Sequence, residues 1–243
     1  MIYKCTVSYD GSNYAGWQKQ INAIGIQEII EKALTKINKE PIEVVASGRT
    51  DAKVHALGQV FHFDATIHMP CENYKHAINA LLPYDIRIVK VEEENDDFHA
   101  RFSAKYKRYD YVCSFDKDNP FLYKYAEFVP DTIDIEKMKE ASKYLLGTHD
   151  FTSFSSSRID ERKPRIKTIT TIEFVMETKG FRIIFKGTGF LRYQVRMMTA
   201  TLLEVGKHKI ECEEVKEILE KKDKMACRYN ANAAGLYLVE VLY

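Results

Sequence analysis

A chain of 243 residues can bury one large core or two smaller ones, and 45% hydrophobic against 29% charged residues is the balance of a soluble globular protein. No stretch approaches the roughly 18 apolar residues of a membrane span. Cys5, Cys71, Cys113, Cys212 and Cys227 are scattered, with no C-x-x-C, which excludes a disulfide framework and a zinc ribbon and fits a reducing, cytoplasmic compartment. A net charge of +1 excludes strong long-range attraction to phosphate, so any nucleic-acid contact must come from local basic patches.

Met1 to Cys5 are strand-like at once, with no signal-peptide core or cleavage site. Residues 2–9 (IYKCTVSY) predict a strand, ended by the turn-forming Asp10-Gly11. Ile26, Ile29, Ile30, Ala33, Leu34 and Ile37 recur at helical spacing and predict an amphipathic helix over 26–38. Residues 42–47 and 58–65 read as strands, 72–82 as a helix halted by Pro83, and 85–92 as an alternating strand. The order is βαββαβ.

The second half reads as a repeat of that order. Residues 104–114 are strand-like and 134–146 helical, with Ile135, Met138, Ser142 and Leu145 inward. Residues 167–177 and 181–186 suit a hairpin around Lys179-Gly180. An apolar helix over 190–205, a surface helix near 211–222 and a strand over 236–242 follow. The expected fold class is α+β: two ferredoxin-like, RRM-like βαββαβ domains over 1–104 and 105–243, antiparallel sheets flanked by helices, with a cleft between them. The stretch 153–167 (SFSSSRIDERKPRIK) interrupts the pattern. Arg158, Arg162, Lys163, Arg165 and Lys167 outnumber its two acids, so it serves equally as a solvated connector or as a phosphate-contacting flap.

Three features bear on chemistry. Ser47-Gly48-Arg49-Thr50-Asp51 follows a predicted strand, so Asp51 is carried on a rigid base, although an Asp in a turn also serves simply to satisfy backbone N–H groups. Arg196 interrupts an otherwise apolar helix; burying an unpaired guanidinium is costly, so it should face a cleft and meet a carboxylate, or form a structural Arg–Glu pair. Tyr106, Tyr109 and Tyr111 alternate with Lys105, Lys107 and Arg108, a pattern suited to stacking single-stranded RNA bases while cations follow the backbone, and also to an ordinary amphipathic strand. The seven histidines show no metal-ligand spacing. Phosphate-loop, dinucleotide and nucleophile-elbow motifs are missing, so neither metal nor cofactor is expected.

Gly48-Arg49-Thr50-Asp51-Ala52-Lys53-Val54-His55 resembles the Gly-Arg-Thr-Asp-x-Gly-Val-His motif of the tRNA pseudouridine synthase A type. The resemblance runs nearly end to end: Tyr9-Asp10-Gly11 and Gly16-Trp17-Gln18, Asn79-Ala80-Leu81-Leu82-Pro83, Phe98-His99-Ala100-Arg101-Phe102, Gly147-Thr148-His149-Asp150-Phe151, Gly189-Phe190-Leu191 with Val195-Arg196, and Gly235-Leu236-Tyr237-Leu238. It implies a cofactor-free isomerase acting on tRNA, at uridines on the 3′ side of the anticodon arm, and working as a homodimer. It implies Asp51 as the catalytic carboxylate and Arg196 as its partner. Tyr109 would stack on the target uracil, Arg49 would hold the flipped nucleotide, and Leu236 would wall the pocket. Lys53, Arg108, Arg162 and Arg165 are further expected RNA contacts. Two departures stand out. Lys53 replaces a glycine, so either φ is negative there or strain is tolerated. Ala200 replaces a helix glycine, which favours the helix.

Two rival readings use the same residues. A non-catalytic protein of two RRM-like domains would show the RRM aromatic signature, which is missing, and needs no Asp51. A hydrolase with paired carboxylates would have only Asp150 as an obvious partner for Asp51.

Overall fold

The computed structural model describes residues 1–157 and 164–243. It has a mixed α/β architecture of two compact units, Met1–Lys105 with Tyr237–Tyr243, and Tyr106–Leu236.

In the first unit, strand β1 (Ile2–Tyr9) alternates strictly, burying Tyr3, Cys5, Val7 and Tyr9. Asp10 ends it by capping a 3-10 turn at Gly11–Asn13. Helix α1 (Ile26–Asn38) buries Ile26, Ile30, Ala33 and Leu34. Lys39, at φ 60, then closes its C-terminus. Strand β2 is only Val45–Ala46, shorter than the 42–47 expected. Ile42 and Val44 are buried, but their N–H groups go to Thr35 Oγ1 and Glu31 Oε1 of α1, both at 3.2 Å, rather than to a strand. Strand β3 (His55–Asp64), helix α2 (Cys71–Leu81) and strand β4 (Ile86–Glu94) complete the predicted order. The sheet runs β4-β1-β3, antiparallel throughout, with β2 against β3. Its core holds Tyr3, Trp17, Phe61, Phe63 and Tyr74, all at least 98% buried. Each such side chain contributes roughly 1.5–3 kcal/mol by leaving water.

The second unit contains strands β5 (Tyr106–Ser114) and β6 (Glu127–Phe128), helix α3 (Ile135–Ser142) with a 3-10 turn through Leu145, and strands β7 (Gly147–Asp150), β8 (Ile166–Glu177) and β9 (Gly180–Gly187). Helices α4 (Gln194–Gly206) and α5 (Cys212–Lys221) follow. The sheet order is β5-β9-β8-β7, with β6 parallel to β5. Strands β6 and β7 are absent from the repeat read in the sequence, so the second half is not a literal βαββαβ. Two- and four-residue strands are too short to show a period. Helix α4 is buried on nearly every side, and α3 packs so closely that a Cβ at Gly206 would lie 2.7 Å from Met138.

Strand β10 (Leu236–Leu242) runs parallel to β3 through Tyr237↔His55 and Leu238↔Ala56, and Lys105 N donates to Leu242 O (2.8 Å). A division at 104 assigns this strand to the second half, whereas these bonds return it to the first unit. Among the described residues no helix is long and apolar enough to cross a membrane.

Candidate active site

The Ser47–His55 loop is held at nearly every position. At its start, Ser47 Oγ donates to Gln59 Oε1 (2.8 Å), Gln59 Nε2 donates to Gly48 O (2.9 Å), and Ser47 N bonds Val60 O (2.8 Å). Thr50 is buried, its hydroxyl 2.7 Å from the Tyr9 hydroxyl and its carbonyl accepting from Trp17 N (3.1 Å). Burial pushes the Tyr9 hydroxyl far above its usual range, so it stays neutral. Val54 N returns to Asp51 O (3.1 Å), closing the turn. At the far end His55 is buried, accepting at Nδ1 from Gly11 N (3.1 Å) and stacking on Tyr237 with 4.7 Å between centroids. Its Nδ1 also lies 3.2 Å from Asp10 Oδ1.

Within this frame Asp51 is half-buried and Arg49, Ala52 and Lys53 are exposed. The two residues before Asp51 therefore differ sharply: Thr50 anchors the loop and Arg49 projects to solvent. Lys53 adopts φ 65, which resolves the sequence ambiguity in favour of tolerated strain. Its N–H donates to Tyr14 O (3.2 Å), a bond that the left-handed conformation makes possible. Gly16, at φ 92, closes the arrangement; a Cβ there would sit 2.5 Å from Thr50 O and 2.9 Å from the Asp51 carbonyl carbon.

The remaining candidates lie in the second unit. Tyr109 is buried on β5, opposite Phe185, with Phe190 edge-on at 5.2 Å. On the other face, as alternation predicts, Arg108 makes a bidentate pair with the buried Asp110, both bonds 2.8 Å, which Arg182 also reaches at 3.3 Å. Tyr111 is fully buried, its one hydroxyl proton facing two acceptors, Glu127 Oε2 (2.9 Å) and Asn232 O (2.8 Å). Burial and the Glu127 carboxylate raise its hydroxyl far above the usual range. Asn232 N also donates to Glu127 Oε2 (2.9 Å), and this knot anchors the 3-10 turn that delivers the buried Leu236. Sequence patterning missed Glu127, because β6 is too short to register.

Arg196 is half-buried in the first turn of α4, not at the middle of a helix beginning at 190. The helix starts at Gln194 because Tyr193 is left-handed, with φ 69 and ψ −3. A cation at a helix N-terminus is disfavoured by about 0.3–1 kcal/mol, so stability alone does not account for arginine there. Its Nε donates to Ala231 O (2.8 Å), and its guanidinium carbon lies 5.1 Å from the centre of the Tyr193 ring. Of the basic stretch, Arg165 Nη1 donates to Ser155 Oγ at 3.3 Å. Arg158, Arg162 and Lys163 fall outside the described residues. Among the described residues no group of three or more His, Cys, Asp or Glu is disposed to hold a metal ion.

A family model described as tRNA pseudouridine synthase matches residues 6–103 and 141–243, which include Arg49, Asp51, Lys53, Arg196 and Leu236. A protein of an Exiguobacterium species named tRNA pseudouridine synthase A is 46% identical over 242 residues, covering 99% of this chain and 97% of its own. Proteins of the same name from Bacillus pumilus and Bacillus subtilis are 44% and 42% identical over 246 and 247 residues, each covering 100% of this chain and 99% of their own. A braced Gly-Arg-Thr-Asp loop, a family match across both units and relatives aligned over nearly their full length lead to one conclusion: this chain belongs to the tRNA pseudouridine synthase family.

Proposed function

We propose that the chain isomerises uridines on the 3′ side of the anticodon arm of tRNA, with Asp51 as the reacting carboxylate. Family membership makes it an isomerase converting uridine in tRNA to pseudouridine. In that reaction the N1–C1′ bond breaks and a C5–C1′ bond forms. The proton lost from C5 is balanced by one gained at N1, so no co-reactant is consumed.

The observation that carries the reading is the loop itself. Thr50 and Val54 are buried and tied down on either side of a half-buried Asp51 in a tight turn. A carboxylate fixed this way meets a sugar carbon without first paying to order its own backbone. Arg196 is assigned to keep Asp51 ionised, since a neighbouring cation favours the charged form. Tyr109 stacks on the uracil that has left the helix, and Arg49 holds the displaced nucleotide's phosphate. Leu236 supplies an apolar wall. Lys53, Arg165 and Arg162 follow the RNA backbone, and Arg108, tied to Asp110, adds to that field. Each unit is read as a ferredoxin-like, RRM-related domain, for which the β1-α1-β2-β3-α2-β4 order of the first is the support. The protein is expected to act in the cytoplasm as a homodimer.

Release of tritium from C5-labelled uridine in unmodified tRNA tests the reaction. Asp51→Asn is expected to lose at least about 10³-fold in turnover, as removal of a reacting group does, while tRNA affinity stays within a few-fold. Wild-type release by that variant would reject the assignment.

A further inference from the structure

Five non-glycine residues have positive φ among the described residues: Lys39, Lys53, Tyr193, His208 and Lys222. Lys39 and Lys222 are the C-caps of α1 and α5, and His208 lies one residue beyond the C-cap of α4, places where a left-handed residue closes a helix end. Tyr193 is the reverse case. It precedes α4 and forms its N-cap, a position at which extended backbone is the rule and where its side chain makes no capping bond. A bulky aromatic residue in this region is a genuine outlier, and such strain persists only where the surroundings impose it.

The surroundings here are specific. Gln194 is fully buried, its Oε1 accepting from Leu191 N (2.8 Å) and its N–H donating to Leu191 O (3.1 Å), which fixes the turn just before the helix. Tyr193 O accepts from Met197 N (2.9 Å), so the backbone enters α4 directly after the left-handed residue. The side chain is thereby set against two guanidinium groups, Arg196 at 5.1 Å and Arg192 at 4.9 Å from the ring centre, with Arg192 Nη2 also 3.2 Å from the Tyr193 hydroxyl. Arg196 is also held by the Ala231 carbonyl on Nε (2.8 Å), and Ala231 N donates back to Arg196 O (3.2 Å). A carbonyl bonded at Nε and a ring 5.1 Å from the central carbon together restrict where the guanidinium can sit. The ring's negative face also offsets two cations crowded at a helix N-terminus, where the dipole opposes them.

We propose that Tyr193 is a positioning residue for the isomerisation: its left-handed backbone holds its ring against Arg196 and sets the orientation in which that guanidinium serves Asp51. The inference rests on the role given to Arg196 above. The hydroxyl is secondary, because the contact to Arg196 is made by the ring.

Kinetics and melting of full-length variants on unmodified tRNA, by tritium release, test this. Tyr193→Phe retains the ring and is expected to keep kcat within about threefold. Tyr193→Asn accepts the left-handed backbone without the ring, so Tm should hold or rise while kcat falls about tenfold or more and KM moves by less than about threefold, the scale of a lost cation–π contact. Tyr193→Leu should lose kcat likewise. Wild-type kcat in the Asn and Leu variants overturns the proposal. So does equal loss in Phe and Asn, a loss confined to KM, or a loss of activity that follows a drop in Tm. Arg196→Gln separates the two levels: wild-type turnover in that variant brings down the role of Arg196 itself. An inactive Arg196→Gln beside fully active Tyr193 variants removes only the positioning claim.

Discussion

Lys53 stands two residues from the candidate catalytic carboxylate in a conformation that glycine adopts without penalty. Its left-handed backbone is not explained by a helix end, unlike those of Lys39, His208 and Lys222. The N–H bond to Tyr14 O ties the loop to the segment before Gly16, so the geometry is required even though the residue is not ideal for it. Its ammonium is exposed, where it can meet a phosphate. Lys53→Gly should therefore relieve strain but restore freedom to the unfolded chain, leaving stability within about 1 kcal/mol of wild type. tRNA affinity should fall, and the slope of log K against log salt should drop by about 1. Anisotropy titrations at several salt concentrations, beside thermal melts, measure both. An unchanged slope would remove Lys53 from the RNA contacts. The family was legible from the Gly-Arg-Thr-Asp motif and its companions; the φ of Lys53 was not, because nothing local distinguishes a strained lysine from a relaxed one.

At the scale of elements, the candidate catalytic loop is a composite of distant segments. Thr50 takes its bonds from Tyr9 and Trp17, Ser47 from Gln59, and Gly11 N from His55. Gly16 lets the chain pass within contact of the Thr50 and Asp51 backbone. Gly16→Ala combines a positive φ with a Cβ 2.5 Å from a carbonyl oxygen that cannot rotate away. It should cost about 1–3 kcal/mol of stability and, by shifting Asp51, on the order of 10²-fold in single-turnover rate. If the variant reacts at the wild-type rate, the loop does not depend on this close approach. Helix α4 teaches the same lesson from the other side: its apolar run begins at Phe190, but Tyr193 delays the helical turn until Gln194 and puts Arg196 at its mouth.

For the whole molecule, a net charge of +1 means that tRNA binding depends on how charge is distributed, not on how much there is. Stability has its own charge dependence. His62 on β3 is buried, accepts at Nδ1 from Ala100 N (3.1 Å), and lies beside His99 at 5.1 Å. Burial, reinforced by the neighbouring histidine, holds its pKa below the usual value of 6.5. In the window between the folded value and 6.5 the unfolded chain binds more protons, so stability rises with pH there. It should fall as pH drops through about 6.5 and level off below the folded value. Glu28, Glu92 and Glu204, whose pKa values are lowered by lysine partners, act below about 4.5 and leave that window clear. His62→Gln should flatten the dependence between pH 7.5 and 5.5 in denaturant melts, and equal losses in variant and wild type would contradict it.

The amino-acid order by itself determined the family, through residues whose identity is the signal, and the elements whose burial repeats with a clear local period: β1, α1 and α2. Tertiary structure decided the rest. Strand β10 lies on β3 because of hydrogen bonds to residues some 180 positions earlier in the chain, and β6 and β7 exist only through their partners in β5 and β8. The left-handed backbones of Lys53 and Tyr193 are imposed by contacts around them. Periodicity reports which face of an element avoids water, whereas pairing and backbone strain depend on what the rest of the chain brings alongside.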